Sequence, residues 1–196
     1  MSFRIEDKLY INRSQIIDFK EFLSKNSAQP IYKSRTIKSL YFDNKNLDMY
    51  NDSIEGLTPR KKIRIRKYPN GEDKALYFEV KNSSVEGRFK TRKKINEDKF
   101  NSLTKRGYLD EQYGVCFPKL YVIYQREYFK LDDTRISIDK DLQYYNFHTE
   151  KFFNDMSTIV EVKTSINKDQ DDLIKMFPFQ KIRFSKYCLA VDKVLI

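Results

Sequence analysis

The nine residues Arg60–Tyr68 read RKKIRIRKY, and six of them are basic. Isoleucine alternates with arginine at Ile63-Arg64-Ile65-Arg66, the period of a β-strand. Arg64 and Arg66 are therefore expected on one face, with the isoleucines on the other. Like charges placed this way repel, and the planar guanidinium fork suits bidentate contact with phosphate. The pattern recurs along the chain, where charged faces carry Glu6 and Lys8, Glu79 and Lys81, Lys90 and Arg92, Arg135 and Asp139, and Glu161 and Lys163. A one-layer sheet with a charged face to water explains one or two such strands. A closed antiparallel barrel, its apolar faces outward under a few helices, would gather all of them in its interior. So basic an interior calls for phosphate to supply the missing negative charge.

Other chemistry is thinly represented. The two cysteines, Cys116 and Cys188, have no Cys-x-x-Cys spacing, and His148 is the single histidine. A structural zinc site is thereby excluded, and the cysteines read as buried reduced thiols of an intracellular protein. Ser-His or Cys-His catalysis would rest on His148 alone, in the loop-like stretch YYNFHTEKFF. Lys and Arg total 38 against 28 Asp and Glu, a net charge of +10, which suits a polyanionic partner.

The elements that must position the charged faces are mostly strands. Alternation marks 4–11, 39–43, 60–68, 76–81, 89–95, 119–130, 134–139, 158–163 and 181–190, with a turn at Pro69-Asn70-Gly71 closing a hairpin between the third and fourth. Helices are expected at 14–25 with Ser14 as N-cap, at 96–106 between Asn96 and Gly107, and at 167–176. No Ser, Gly or Pro-rich linker divides the 196 residues, so one domain, 1–196, is expected. The N-terminus lacks the apolar core of a signal peptide, and the longest apolar run, LYVIY at 120–124, falls far short of the ~20 residues of a membrane helix. A soluble, cytoplasmic protein is expected.

Nine motifs in order carry a family resemblance. They are Arg4-x-Glu6-x-Lys8, SLYFDNKNLDMY at 39–50, RKKIRIRKY at 60–68, FEVK at 78–81, FKTR at 89–92, YQREYF at 124–129, RISID at 135–139, VEVK at 160–163 and RFSKY at 183–187. Together they resemble the VTC domain of polyphosphate polymerases, within the CYTH-like triphosphate tunnel superfamily. The resemblance implies an α+β, mainly antiparallel fold: an eight-stranded tunnel that binds ATP and a metal and adds the γ-phosphate of ATP to a polyphosphate chain. Carried over by position, Lys8, Arg64, Arg66, Lys81, Lys90, Arg126 and Arg135 would bind phosphate. Arg183, Ser185 and Lys186 would hold the growing end, with Arg64, Arg66 and Lys186 at the reacting group, and Glu161 would hold Mn²⁺ or Mg²⁺.

A phosphate nucleophile is already anionic, so the lack of a usable histidine does not count against such an enzyme. The hydrolytic relatives carry Glu-x-Glu-x-Lys on the first strand, whereas here Arg4 stands first. That departure favours the polymerase over a triphosphatase, the main alternative. The other is a non-catalytic polyanion binder, in which YQREYF would stack bases. ATP and polyphosphate are the expected partners, without nucleic acid, and a membrane partner could hold the protein peripherally.

Overall fold

The computed structural model describes residues 4–12, 14–71, 74–165 and 180–196. Among these residues ten strands and four helices follow in the order β1 (Arg4–Ile11), α1 (Gln15–Lys25), β2 (Gln29–Asp43), α2 (Asp48–Glu55), β3 (Arg60–Lys67), β4 (Leu76–Ser84), β5 (Gly87–Ile95), α3 (Glu97–Arg106), β6 (Tyr108–Asp110), β7 (Gly114–Leu131), β8 (Thr134–Asn146), β9 (Phe152–Asp155), β10 (Thr158–Ser165) and α4 (Lys186–Val194). The helix expected at 167–176 lies outside the described residues. The chain packs as two compact units, one of residues 1–35, 124–142 and 155–184 and one of 36–123, 143–154 and 185–196.

In the first unit the strand order is β1-β10-β8-β7-β2, with β1, β10 and β8 antiparallel. Leu9, Ile11, Ile136, Ile138, Val160 and Val162 turn one face of this ladder inward, and Phe19 and Leu23 of α1 complete the core. Period two then sends Lys8, Arg135 and Glu161 to the opposite face. The N-terminus of α1 is capped differently from expectation. Ser14 makes no side-chain cap bond; the Asn12 carboxamide oxygen accepts from the Gln15 amide at 2.9 Å.

In the second unit the order is β7-β2-β3-β4-β5, with the short β6 on β7. Ile63 and Ile65 are buried, as their alternation requires. Gly71 closes the expected turn onto the Tyr68 carbonyl. Asn96 caps α3 by accepting from the Lys99 amide. Gly107 ends that helix at φ +78°, where an added Cβ would stand 2.9 Å from the Cys116 carbonyl oxygen.

Two segments depart from the alternation. Residues 181–190 were expected as a strand, but only Lys181 bridges to β1, at Leu9, and a helix begins at Lys186. Tyr187, Ala190, Val191 and Val194 are buried at helical spacing, and the Ser185 hydroxyl accepts from the Cys188 amide to cap the helix. Eight residues also cannot show a helical period clearly, so α2 escapes a pattern search. Its amides are satisfied from the end of β2: Asp43 accepts from Met49 and Tyr50, and Asn44 from Asp48. The motif SLYFDNKNLDMY is thus a strand end that caps the following helix.

Candidate functional site

The charged residues of the second unit are gathered by one carboxylate. Glu79 is 2% exposed. Across the β3–β4 ladder it faces Arg64, and across β4–β5 it faces Arg92. Its oxygens lie 2.7 Å from Arg64, 3.7 Å from Arg66, 2.6 Å from Lys90 and 3.6 Å from Arg92. Burial pushes the carboxyl pKa up, but Arg64, then Arg66 and Lys90, outweigh it and hold the group at about 2. Four cations meet one anion here, an arrangement built to receive further negative charge.

Tyrosines complete this face. The Arg64 Nη1 donates to the Tyr41 hydroxyl at 2.9 Å. Burial raises the Tyr41 pKa, yet Arg64 and Arg66 bring it below the ordinary value. Tyr41 stacks on Tyr187 of α4, ring centres 5.1 Å apart, and the Tyr187 hydroxyl donates to Asp43. Arg92 lies 3.6 Å over the Tyr77 ring. Lys81 stands between Lys62 and Lys90 in the register. The Lys62 ammonium donates to the Ser185 hydroxyl at 2.7 Å, and burial lowers the lysine's pKa. Ser185 is thus a helix cap and a lysine partner, and Lys186 opens the helix.

In the first unit, Arg126 makes a paired contact with Asp139, Nε and Nη2 each reaching one carboxylate oxygen. Its Nη2 also lies 3.7 Å from Glu161. Glu161 is 8% exposed, faces Lys8 across β1–β10, and meets Lys163 at 2.5 Å. Lys163 is shared with Glu6 at 3.5 Å. The Lys8 ammonium donates to the Phe184 carbonyl at 2.6 Å. Arg135 is exposed, with its guanidinium 5.3 Å from the Tyr128 ring centre. Arg183 is exposed on the extended stretch before α4.

Every sequence-predicted position lies among the described residues, all but Arg183 and Ser185 on a strand or helix, and the strand register accounts for most of their grouping. Two residues deserve more weight than alternation assigns. Glu79 gathers the cations of two strands, β3 and β5, and Asp139, fully buried, orients Arg126. Their signal was present as acidic residues on strands whose facing positions are basic, but the register that pairs them had to be known. His148 is exposed, its ring Nε2 3.0 Å from the Pro118 carbonyl. Cys116 and Cys188 are buried free thiols, and burial pushes Cys116 up to about 12.

Among the described residues no three His, Cys, Asp or Glu side chains cluster as a metal cage. Glu161 and Glu6 nonetheless offer hard oxygen donors on one face, which suits an ion that takes one or two carboxylates and completes its shell with water and phosphate. No helix of the described residues is long and apolar enough to cross a membrane.

Similarity to solved structures is extensive in coverage and low in identity. A protein from Pyrococcus horikoshii matches with TM-score 0.61 at 15% identity, over 97% of this chain and 99% of that one. A candidate adenylyl cyclase from Hippeastrum, described as having a dominant triphosphatase activity, matches with TM-score 0.58 at 14% identity, over 99% and 98%. A candidate adenylate cyclase from Vibrio parahaemolyticus matches with TM-score 0.59 at 12% identity, over 96% and 98%. Among curated proteins no sequence matches the chain. The fold class is α+β and mainly antiparallel, as in the CYTH-like triphosphate tunnel proteins. The described strands, however, pair in an open path from β1 to β5, with β6 and β9 beside it, and not in the closed eight-stranded barrel expected from the sequence. The VTC domain model matches residues 3–195, and the chain belongs to the VTC domain family.

Proposed function

We propose that the protein is a polyphosphate polymerase, transferring the γ-phosphate of ATP to the end of a polyphosphate chain. The observation that carries this reading is the gathering of Arg64, Arg66, Lys90 and Arg92 on the single buried carboxylate of Glu79. Their charge exceeds what that carboxylate cancels, and their donors are held in place before any ligand arrives. Preorganised cations of this kind are what phosphoryl transfer asks of a protein, because its loose transition state needs position and charge stabilisation more than covalent help.

In this mechanism a terminal phosphate oxygen of the chain attacks the γ-phosphorus of ATP. The bond from phosphorus to the β–γ bridging oxygen breaks, and ADP leaves with the electron pair. Arg64 and Arg66 bind and orient the phosphoryl oxygens, Lys81 and Lys90 act as point charges, and Tyr41 fixes Arg64. Lys8, Arg126 and Arg135 hold further phosphates, with Arg126 oriented by Asp139. Arg183, Ser185 and Lys186 take the growing end. Glu161, with Glu6, would hold Mn²⁺ or Mg²⁺, and such an ion would supply positive charge to offset that of the phosphates. No proton is abstracted from the nucleophile, so no general base is required.

Membership of the VTC family and Arg4 at the head of the first strand favour chain growth over hydrolysis. The test is incubation of the purified protein with ATP, Mn²⁺ and a short polyphosphate primer, with products resolved on a gel stained for polyphosphate. A lengthening ladder with matching ADP, lost in Arg66→Ala, is expected. Free phosphate without a ladder would make the protein a triphosphatase instead.

A further inference from the structure

Lys62 begins a row of three lysines that crosses β3, β4 and β5. It faces Lys81 in one ladder, and Lys81 faces Lys90 in the next. Side chains opposite one another on neighbouring strands lie about 5 Å apart at Cβ, so like charges there repel. Lys90 is relieved by Glu79 at 2.6 Å. Lys62 forms no ion pair among the described residues; its ammonium is held by a neutral hydroxyl, Ser185 Oγ, at 2.7 Å. That hydroxyl is itself fixed, because it caps α4 by accepting from the Cys188 amide. A half-buried ammonium against a neutral partner lacks the counter-charge that an anion would supply.

Lys62 also stands two residues before Arg64 on the same strand face, about 7 Å along a strand. That is room for one neighbouring phosphate beside the group held by Arg64 and Arg66. The site therefore has two adjacent cationic positions of different character. One is a rigid guanidinium set balanced in part by Glu79, and the other is a lysine tethered to an uncharged cap.

We infer that Lys62, held on Ser185, binds the terminal phosphate of the acceptor and so selects a phosphate rather than water as the nucleophile. The inference rests on the phosphoryl-transfer reading above and adds the residue that decides between chain growth and hydrolysis. Lys62 donates hydrogen bonds to the acceptor's non-attacking oxygens; the attacking oxygen forms the new P–O bond as ADP departs. Ser185 tethers the lysine and takes no part in the bond changes.

The experiment uses the full chain with ATP, Mn²⁺ and inorganic tripolyphosphate as acceptor, and measures ADP, free phosphate and phosphate incorporated into chain. Lys62→Met is expected to raise the ratio of free to incorporated phosphate about tenfold, the scale of one charge-assisted hydrogen bond. It should raise the tripolyphosphate KM by a similar factor with little change in the KM for ATP. Lys62→Arg should restore most of the partition. Should Lys62→Met fail to fold, Lys62→Gln keeps a donor to Ser185 and is expected to shift the ratio in the same direction. An unchanged ratio in these variants, beside normal chain growth by the wild type, overturns the inference alone. Equal losses toward ATP and acceptor would also overturn it, since Lys62 would then only support the fold. A wild type that makes no chain overturns the polymerase reading on which acceptor selection depends.

Discussion

Arg64 and Glu79 stand opposite one another across β3 and β4, with the guanidinium Nε 2.7 Å from the carboxylate Oε2. The register places them together, and burial of Glu79 makes the pairing matter. The same carboxylate reaches Arg66 on β3 and Lys90 and Arg92 on β5. A buried anion thereby holds several cations in fixed positions without cancelling them. Side chains ordered in advance lose little freedom on meeting an anion.

Glu79→Gln should therefore destabilise the protein and yet be partly rescued by an anion. Removing one partner of a buried ion pair costs about 3 kcal/mol, because the remaining charges are left buried and uncompensated. Thermal denaturation should show a clear fall in Tm relative to wild type. Saturating tripolyphosphate at ~100 times its Kd should return about 2.7 kcal/mol. An unaltered Tm would mean that the cations do not depend on Glu79.

Acid stability should carry the signature of the same group. The folded pKa of Glu79, about 2, lies below its ordinary value of 4.5. A depressed carboxyl contributes stability that is fully present above the unfolded pKa. That contribution is lost as pH falls from 4.5 towards 2, and its size is about 3 kcal/mol. Chemical denaturation at a series of pH values should show the loss in wild type and its absence in Glu79→Gln. Parallel curves for the two proteins would contradict the assignment.

Glu161→Gln tests the proposed metal position separately from phosphate binding. Loss of a ligand carboxylate should lower Mn²⁺-dependent turnover by about 100-fold and raise the Mn²⁺ concentration needed for half-maximal rate. Metal-free binding of tripolyphosphate, measured by calorimetry, should persist, since the Glu79 cluster is untouched. Unchanged Mn²⁺ dependence would leave Glu161 as a structural ion-pair partner of Lys163 and Arg126.

Tyr187→Phe isolates the support behind Tyr41. The Tyr187 hydroxyl donates to the fully buried Asp43, which also takes the Met49 and Tyr50 amides. Losing one donor to a buried carboxylate should cost about 2 kcal/mol. The stacked rings remain, so activity per folded molecule should fall less than in Arg64→Ala. Melting temperature and turnover measured together check this, and a variant as inactive as Arg64→Ala would place Tyr187 in the chemistry.

Much of the charged candidate inventory was legible because strand side chains alternate with a period of two. Arg64 and Arg66 had to share a face once Ile63 and Ile65 were placed inward, and the same holds for Lys8 between the strand neighbours Asp7 and Leu9. The nine ordered motifs carry the family resemblance by themselves. Alternation misled at 181–190, where RFSKY and the residues after it imitate a strand. The decisive features there are a hydroxyl cap from Ser185 and an apolar stripe of Tyr187, Ala190, Val191 and Val194. Helix α2 was invisible for a related reason, since its caps come from Asp43 and Asn44, on and just beyond the preceding strand.

By itself, then, the sequence determined which residues are charged, which strand face each one takes, and that basic groups outnumber the acids meant to balance them. Only the tertiary structure decided which cation meets which anion. Register depends on long-range packing, and a shift of one residue would exchange Glu79 for an apolar neighbour opposite Arg64. Burial likewise depends on what covers a strand. Arg126 with Asp139, and Lys62 with Ser185, are partners that only the folded chain brings together.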